Sequence, residues 1–317
     1  MMKKQAVILD CDPGHDDAIA LAILLGAENI ELKAVTSSAG NQTQAKTSGN
    51  VRKLLTLFDF KEIPVAKGAE KPLVRELIIA ESIHGKSGLD GAELPEPEVP
   101  LSEDKAIDLI ATILKASPEP VVLVATGPLT TMASFLVAYP ELKGQIKEIV
   151  FMGGACFGGN WTSTAEFNIF VDPEAADIVL RSGVKLAMFG LDVTLKAQFF
   201  SEDVAEVRQL GNQSSQVLGG LLDFFNQRVA QPLLPKPGHI EGMHLHDACA
   251  AAYVVAPDLF TTLPLYVEVD TRPGLTLGST LVDYTGKRQL AANANVGFDL
   301  DLPRFRELVI QSIGRMA

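Results

Sequence analysis

Residues 5–25 read QAVILDCDPGHDDAIALAILL and contain the first strand, turn and helix predicted for the chain. It opens with a short apolar run ending at Asp10, which predicts a buried strand, and Pro13-Gly14 then turns the chain. Asp16 and Asp17 follow where a helix N-terminus favours negative charge, and an almost wholly apolar helix comes next. The stretch therefore predicts a strand–turn–helix unit with acidic side chains at its turn.

The same alternation of strand and helix continues along most of the chain. Further strands are predicted at 31–37, 63–66, 121–125, 148–152 and 185–191, with helices at 43–58, 105–115, 127–139 and 173–181. Two helices are predicted within 201–229, a buried helix at 246–255, strands at 264–269, 275–283 and 289–298, and then a final helix. Continuous apolar strands joined by helices are typical of a parallel sheet covered on both faces. We therefore predict an α/β fold with a single open, mostly parallel sheet, in one domain over residues 1–317.

The composition limits the class of protein. Hydrophobic residues make up 47% and charged residues 21%, which is typical of a folded soluble protein. The net charge of −12 disfavours binding to a nucleic acid polymer or an anionic membrane, where clustered Lys and Arg are expected. Cys11, Cys156 and Cys249 have no close spacing, which favours a reducing compartment. The apolar run at 6–9 is too short for a signal peptide, so we expect a cytoplasmic protein.

Four carboxylates fall within eight residues directly after the first strand: Asp10, Asp12, Asp16 and Asp17. Ligands of open parallel sheets bind at the carboxyl ends of the strands. Carboxylates this dense repel one another unless a cation lies among them, and a hard divalent ion with oxygen ligands is the simplest explanation. Two of the four could instead be a helix cap and an Asp-Pro-Gly turn. All four together predict a metal or catalytic site.

Polar residues also follow the later predicted strands. Asn41 and Thr126 come after the second and fourth strands, and Gly153-Gly154 ends the fifth. Asn160, Glu166 and Asn168 lie in the loop beyond it. A pocket rich in acids and amides but poor in cations suits an uncharged polyhydroxyl ligand better than a phosphate.

Six blocks of sequence then carry a family resemblance. They are VILDCDPGHDDAIAL (7–21), SAGNQT (38–43), VRELIIAESIHGKSGLDG (74–91), VATGPLTTMA (124–133), EIVFMGGACFGGNWTSTAEFNIFVDPEAA (148–176) and LHDACAAAYVVAPDLFTT (245–262). In this order they resemble the inosine-uridine-preferring nucleoside hydrolases over most of the chain. The resemblance implies a Rossmann-like core, hydrolysis of purine and pyrimidine ribonucleosides to ribose and free base, and a homo-oligomer, either a dimer or a tetramer.

The resemblance also implies roles for individual residues. It implies a Ca2+ site formed by Asp12, Asp17, the backbone carbonyl of Thr126, and Asp247. Asp12 would also be the general base that deprotonates water, and His246 would assist departure of the base. Substrate contacts are implied for Asp16, Asn41, His84, Asn160, Glu166 and Asn168. Without the family, Thr126 and Asp247 would each be interpreted as helix caps.

The segment 224–243, FFNQRVAQPLLPKPGHIEGM, matches the family least well. In the family this region covers the nucleobase, so the preference for purine or pyrimidine stays open. Gln227 and His239 are possible base contacts, but either is equally explained as a solvated residue. Trp161 is interpreted either as a base-stacking or as a packing residue. His15 replaces an aliphatic residue of many relatives and receives no role.

Two other classes of protein share part of this pattern, a phosphohydrolase and a non-catalytic binding protein. Asp-x-Asp after a first strand resembles the nucleophile pair of haloacid-dehalogenase-type phosphohydrolases, but the chain shows no clear downstream lysine for a phosphate. A non-catalytic protein that binds calcium or a nucleoside would have no need of a histidine acid beside the metal. The pair His246-Asp247 therefore favours a hydrolase.

Overall fold

The computed structural model describes residues 4–229 and 242–317, in strands and helices that largely alternate. The strands are β1 (Gln5–Cys11), β2 (Ile30–Ser37), β3 (Val65–Lys67), β4 (Val121–Ala125), β5 (Ile146–Met152), β6 (Leu186–Phe189), β7 (Gln198–Phe199), β8 (Met243–His244), β9 (Phe260–Leu265), β10 (Val267–Val269), β11 (Thr280–Val282) and β12 (Ala294–Leu300). The α-helices are α1 (His15–Gly26), α2 (Gln44–Leu57), α3 (Glu81–His84), α4 (Ala106–Ala116), α5 (Thr130–Ala138), α6 (Phe167–Val171), α7 (Pro173–Leu180), α8 (Leu191–Thr194), α9 (Ser201–Gln209), α10 (Gln213–Val229), α11 (His246–Val255) and α12 (Leu302–Gly314). Within these residues no helix is long and apolar enough to cross a membrane.

Eight strands form the central sheet, in the order β3-β2-β1-β4-β5-β6-β12-β9. Every neighbouring pair is parallel except β12 and β9, which are antiparallel. The first six strands have the order of a Rossmann fold. The predicted α/β class with an open, mostly parallel sheet is confirmed, and two small two-stranded sheets, β10-β11 and β7-β8, are added to it. The assignment to one domain stays a prediction.

Hydrophobic side chains pack into two cores, one on each face of the sheet. Successive side chains of a strand point to opposite faces, and Val7 and Leu9 accordingly lie in one core while Ile8 lies in the other. Helices α1, α11 and α12 pack together on the first face, and α4, α5 and α7 on the second. The prediction of helices on both faces is therefore confirmed.

The strands near the C-terminus differ from the sequence prediction. The run 264–269 forms two strands, because β9 ends in the main sheet at Leu265 and β10 starts a separate pair at Val267. The side chain of Asn293 accepts a 2.7 Å hydrogen bond from the Val267 N–H and donates one of 2.8 Å to its carbonyl. The backbone N–H and carbonyl of Val267 are therefore both hydrogen-bonded where the chain leaves the main sheet. The runs 275–283 and 289–298 contribute only β11 and β12, which are shorter or shifted.

The topology places the first turn at the point where the strand order reverses. From β1 the chain proceeds outward to β2 and β3, and then crosses to β4 on the other side of β1. Asp10 pairs with Thr36 of β2 and with Ala125 of β4, so the three strands end together. Ligands of open α/β sheets bind at such a switch point, and residues 12–14 follow the end of β1 there.

Candidate active site

Asp12 lies in the turn between β1 and α1 and is fully buried. Its Oδ2 accepts a 2.6 Å hydrogen bond from the backbone N–H of Asn41, whereas its Oδ1 has no hydrogen-bond partner among the described residues. A Cβ atom on Gly40 would lie 2.1 Å from Oδ2, and one on Gly127 would lie 2.5 Å from Oδ1. Two glycines thus enclose a fixed carboxylate that has one oxygen left to accept a proton or bind a cation.

Asp17, in the first turn of α1, joins three segments of the chain. Its Oδ2 accepts hydrogen bonds from the Gly14 N–H at 2.8 Å and from Nδ2 of Asn41 at 3.2 Å. Its Oδ1 accepts a 2.7 Å hydrogen bond from the hydroxyl of Thr126, just after β4. The backbone N–H of Thr126 in turn donates to the carbonyl of Asp10 at 2.9 Å. The polar residues after β1, β2 and β4 therefore meet at one carboxylate.

Asp16, Asp17 and Asp247 form a buried cluster of carboxylates. One oxygen from each lies within 4.8 Å of the other two. The backbone N–H of Asp247 donates to Oδ2 of Asp16 at 3.3 Å, which brings the start of α11 against the start of α1. The cluster joins two of the predicted metal ligands, Asp17 and Asp247. Asp16, and not Asp12, is its third member.

The charge of these carboxylates is unfavourable without a cation. Burial, reinforced by repulsion from Asp17, raises the pKa of Asp16 to about 7 and holds the pKa of Asp12 well above its usual range. Burial and the neighbouring carboxylates likewise raise the pKa of Asp247 far above normal. A hard divalent cation prefers buried carboxylate and carbonyl oxygens and would reverse this repulsion. The unpartnered Oδ1 of Asp12 and the cluster together fit a metal ion.

Glu166 and Asn168 lie beyond β5, on the other side of the same crevice. Glu166 is the N-cap residue of α6 and accepts backbone hydrogen bonds from Gly154 and Asn168, both at 2.9 Å. Its burial raises its pKa to about 7. Nδ2 of Asn168 donates to the carbonyl of Thr126 at 2.8 Å and to that of Met152 at 3.2 Å. Asn168 thus ties the predicted carbonyl ligand to the end of β5.

Asn160 and Trp161 lie in the loop that leads to α6. Asn160 is exposed, and its Oδ1 accepts a 2.9 Å hydrogen bond from the N–H of Phe167. Trp161 packs edge-on against the ring of Phe167, with ring centroids 4.9 Å apart. Asn160 therefore stands outside the buried hydrogen-bond network of the carboxylates. Trp161 makes the packing contact that was one of its two interpretations.

His246 is the first residue of α11 and is half-buried. Its Nδ1 lies 2.7 Å from the hydroxyl oxygen of Thr194, and its ring is 5.7 Å from that of His244. Burial, with a smaller contribution from His244, lowers the pKa of His246 to about 3. The ring is therefore neutral near pH 7 and offers one N–H as a hydrogen-bond donor.

His84 and His15 form a stack of aromatic rings with α10. Their ring Nδ1 atoms are 3.1 Å apart. The backbone N–H of His15 also donates a 3.3 Å hydrogen bond to Nδ1 of His84. The His15 ring stacks on Phe224 and Phe225 at 5.4 and 5.3 Å, and the His84 ring on Phe225 at 5.5 Å. Burial, then His15 and His246, hold the pKa of His84 well below normal. His15, which received no role from the sequence, thus anchors His84.

The remaining candidates for base contact lie on or beyond α10. Gln227 is exposed on this helix. His239 falls outside the described residues.

Sequence reasoning missed three residues that the structure brings to this site. Gly40 and Gly127 are immediate neighbours of the predicted residues Asn41 and Thr126, and their proximity to Asp12 has no signature in the sequence. Thr194 contacts His246, and its position after the predicted strand 185–191 was a usable signal because ligands gather at strand ends.

Comparison with known proteins identifies the family of the chain. The family model described as inosine-uridine preferring nucleoside hydrolase matches residues 7–307. The pyrimidine-specific ribonucleoside hydrolase RihA of Salmonella agona (strain SL483) is 48% identical over 307 residues, covering 97% of both chains. RihA of Shigella boydii serotype 4 (strain Sb227) is 49% identical over 303 residues, covering 96% of both.

A solved structure shares the whole fold. The purine-preferring ribonucleoside hydrolase from Gardnerella vaginalis superimposes with a TM-score of 0.90, at 33% identity and 98% coverage of both chains. The match of the family model spans nearly the entire sequence, and the relatives cover nearly their entire length. The chain therefore belongs to the inosine-uridine preferring nucleoside hydrolase family and is a ribonucleoside hydrolase.

Proposed function

We propose that this hydrolase works at a Ca2+ site formed by Asp12, Asp17, Asp247 and the backbone carbonyl of Thr126. The observation that carries the proposal is the carboxylate of Asp12, which is anchored through Oδ2 and unpartnered at Oδ1. All four donors are hard oxygens, which suit calcium better than zinc. Asp16, within 4.8 Å of Asp17 and Asp247, adds negative charge to the same site.

Asp12 is the general base. A bound Ca2+ would orient a water molecule and lower its pKa. Asp12 accepts the proton of this water as the water oxygen forms a bond to the anomeric carbon. The N-glycosidic bond breaks with its electron pair going to the base, through a ribosyl transition state of oxocarbenium character. The surrounding carboxylates stabilise the positive charge that develops on the sugar.

His246 assists departure of the base. The leaving nitrogen gains negative charge as the bond breaks, and a ring N–H directed at the base stabilises that charge. The lowered pKa of His246 means that the neutral ring acts as a hydrogen-bond donor, and the proton that completes the base comes from solvent. The proton held by Asp12 returns to solvent, so the reaction balances as nucleoside plus water giving ribose plus base.

The ribose is held by four polar residues around the carboxylates, Asp16, Asn41, Glu166 and Asn168, and by Asn160 from the exposed loop before α6. Carboxylate and amide groups are well suited to ribose hydroxyls, since each hydroxyl both donates and accepts hydrogen bonds. Burial, then His15 and then His246 lower the pKa of His84, and the contribution of His246 supports a place for His84 near the base.

Pyrimidine ribonucleosides are the preferred substrates in this proposal. The relatives at 48% and 49% identity are named pyrimidine-specific, whereas the purine-preferring enzyme is only 33% identical. The family resemblance of the sequence alone predicts a broader range that includes both classes. We also propose a cytoplasmic location. On the family resemblance we propose a homo-oligomer, either a dimer or a tetramer, and light scattering would measure its molar mass.

Release of ribose from uridine, cytidine, inosine and guanosine tests the proposal. We expect reducing sugar and free base without added phosphate, fastest from the pyrimidines, with loss of activity on chelation. A strict need for phosphate would identify a phosphorylase. A phosphorylated aspartate detected by mass spectrometry would favour the haloacid-dehalogenase alternative, and binding without turnover would indicate a non-catalytic protein.

A further inference from the structure

Thr194 has an unusual position for a buried hydroxyl residue. Its side chain is fully buried, and its hydroxyl oxygen lies 2.7 Å from Nδ1 of His246. Within residues 4–229 and 242–317 this is the one hydrogen-bond partner of the hydroxyl. A threonine in a helix commonly donates its hydroxyl to the carbonyl four residues earlier, but among the described residues the Thr194 hydroxyl makes no such bond to the carbonyl of Gly190.

The fold holds Thr194 and His246 together through a second contact between their segments. Strands β7 and β8 are antiparallel, with Gln198 opposite His244, and the N–H of Leu245 donates to the carbonyl of Ala197 at 3.0 Å. These bonds set the register between the segment after α8 and the segment before α11. The distance from Thr194 to His246 is therefore fixed by backbone pairing and does not depend on their side chains alone.

The other end of α8 is tied to Glu166. The carbonyl of Gly154 accepts the N–H of Leu191 at 2.9 Å, and the N–H of Gly154 donates to Oε2 of Glu166 at 2.9 Å. A Cβ atom on Gly190 would lie 2.7 Å from that carbonyl, so only glycine permits this close approach. Helix α8 thus connects the proposed ribose contact Glu166 with the proposed base-side residue His246.

The hydroxyl of Thr194 carries a proton, and Nδ1 of His246 is the acceptor in reach. When the hydroxyl donates to Nδ1, that nitrogen is bare and the neutral ring must carry its proton on Nε2. A doubly protonated ring would also carry a proton on Nε2, with Thr194 as acceptor. Of the two neutral tautomers, Thr194 disfavours the one protonated on Nδ1, because the hydroxyl proton would then have no acceptor among residues 4–229 and 242–317. In that tautomer Nε2 cannot donate.

We infer that Thr194 is a positioning residue that orients the ring of His246 and keeps the N–H on Nε2, where it can donate a hydrogen bond to the departing base. This inference rests on the proposed role of His246 in base departure. Nδ1 is occupied by Thr194, so Nε2 is the ring nitrogen left for a substrate. Without the hydroxyl the ring can rotate or adopt the other tautomer, and the departing base loses its donor.

The variants Thr194→Val and Thr194→Ser test the inference. Valine keeps the shape and removes the hydroxyl, whereas serine restores it. Thr194→Val should lower kcat for uridine by about 10- to 100-fold, less than the ~10²–10⁴-fold expected for loss of the His246 side chain. It should change hydrolysis of p-nitrophenyl riboside little, since nitrophenolate leaves without a proton, and Thr194→Ser should recover most of the activity on uridine. Thr56→Val is the control for the loss of a threonine hydroxyl, because the Thr56 hydroxyl donates to the carbonyl of Arg52 and accepts from the N–H of Glu98, neither of which belongs to the proposed site.

The tautomer of His246 is a second and independent measurement. Long-range 1H–15N spectra of the calcium-loaded, 15N-histidine-labelled enzyme, assigned with His246→Ala, should show wild-type His246 protonated on Nε2. Protonation on Nδ1 alone in the wild type would overturn the inference without reference to any variant. Equal losses of Thr194→Val on uridine and on nitrophenyl riboside, with an unchanged melting temperature, would also overturn it.

The outcomes separate this inference from the proposed function. If His246→Ala slows both substrates alike, the base-departure role itself fails. If His246→Ala is selective for uridine and Thr194→Val is not, the role stands and the inference about Thr194 fails. In a His246→Ala background, Thr194→Val should have no further effect on uridine, because the two residues act through one hydrogen bond.

Discussion

The backbone N–H of Asn41 donates a 2.6 Å hydrogen bond to Oδ2 of Asp12, and Oδ1 of the same carboxylate has no hydrogen-bond partner in the described part of the chain. One bond from the end of β2 therefore orients the carboxylate and leaves its other oxygen for chemistry. A buried, unpartnered carboxylate oxygen costs free energy, so it is expected where it has a function.

Replacement of Asp12 by asparagine should nearly abolish hydrolysis. Asparagine has almost the same volume between Gly40 and Gly127 but cannot accept a proton. We expect kcat for uridine to fall by at least ~10²–10⁴-fold from loss of the general base, with a further loss from weaker metal binding. Asp258→Asn, at an exposed ion pair with Arg304, is the control. An Asp12→Asn enzyme with wild-type kcat would remove Asp12 from the mechanism.

Substitution of Gly40 by alanine should displace the carboxylate of Asp12. The effect comes from the new Cβ atom and not from backbone strain, because the backbone of Gly40 is not in the left-handed region. The new Cβ would lie 2.1 Å from Oδ2 of Asp12, so the carboxylate must move. We expect lower activity and weaker calcium binding, measured by titration calorimetry. Gly49→Ala is the matched control, because nothing lies within 4 Å of its Cβ and it is inside α2. Alanine there should leave activity intact and stabilise the fold by roughly 0.5–1 kcal/mol.

Metal removal should abolish activity reversibly. After chelation, calcium should restore hydrolysis better than zinc, because the proposed ligands are all oxygen donors. Asp17→Asn and Asp247→Asn should chiefly raise the calcium concentration needed for half-maximal activity. Activity measurements across a calcium titration would test this. Full activity in a rigorously metal-free sample would contradict the proposed calcium site.

The stabilisation by calcium should increase with pH. Burial raises the folded pKa of Asp16 from 3.8 to about 7, so between these values the folded chain keeps a proton that the unfolded chain has lost. Its contribution to the stability of the metal-free protein is present below the unfolded pKa and is lost as the pH rises through the folded pKa. Calcium must displace such protons. The calcium-induced rise in melting temperature should therefore be larger at about pH 8 than at about pH 5, and an equal rise at both would argue against binding at these carboxylates.

Leaving-group dependence should separate base departure from ribose recognition. His246→Ala should slow uridine or inosine by ~10²–10⁴-fold and spare p-nitrophenyl riboside, whose leaving group needs no donor. Asn168→Ala and Glu166→Ala should slow both kinds of substrate alike, because all of them share the ribose. Measurements of kcat/KM for each variant on uridine and on p-nitrophenyl riboside would distinguish the two roles. Equal slowing by His246→Ala would assign this histidine a structural or metal-site role.

The sequence by itself determined the local units of this protein. The strand ending near Asp10, the turn at Pro13-Gly14 and the helix after it could be predicted because hydrophobic periodicity and turn chemistry act over a few residues. β4 and α11 also lie at their predicted residues. The gathering of polar side chains at strand ends followed from the geometry of parallel sheets.

Tertiary structure alone decided which of these side chains share space. Asp247 meets Asp16 across 231 positions, and Thr126 meets Asp17 across 109, through packing of α11 on α1 and pairing of β1 with β4. The same packing brings Asp16 within 4.8 Å of Asp17 and Asp247, two of the metal ligands that the family resemblance implies. Contacts of this kind depend on interatomic distances set by the whole fold, and no local pattern of residues encodes them. The contact between Thr194 and His246 belongs to the same class.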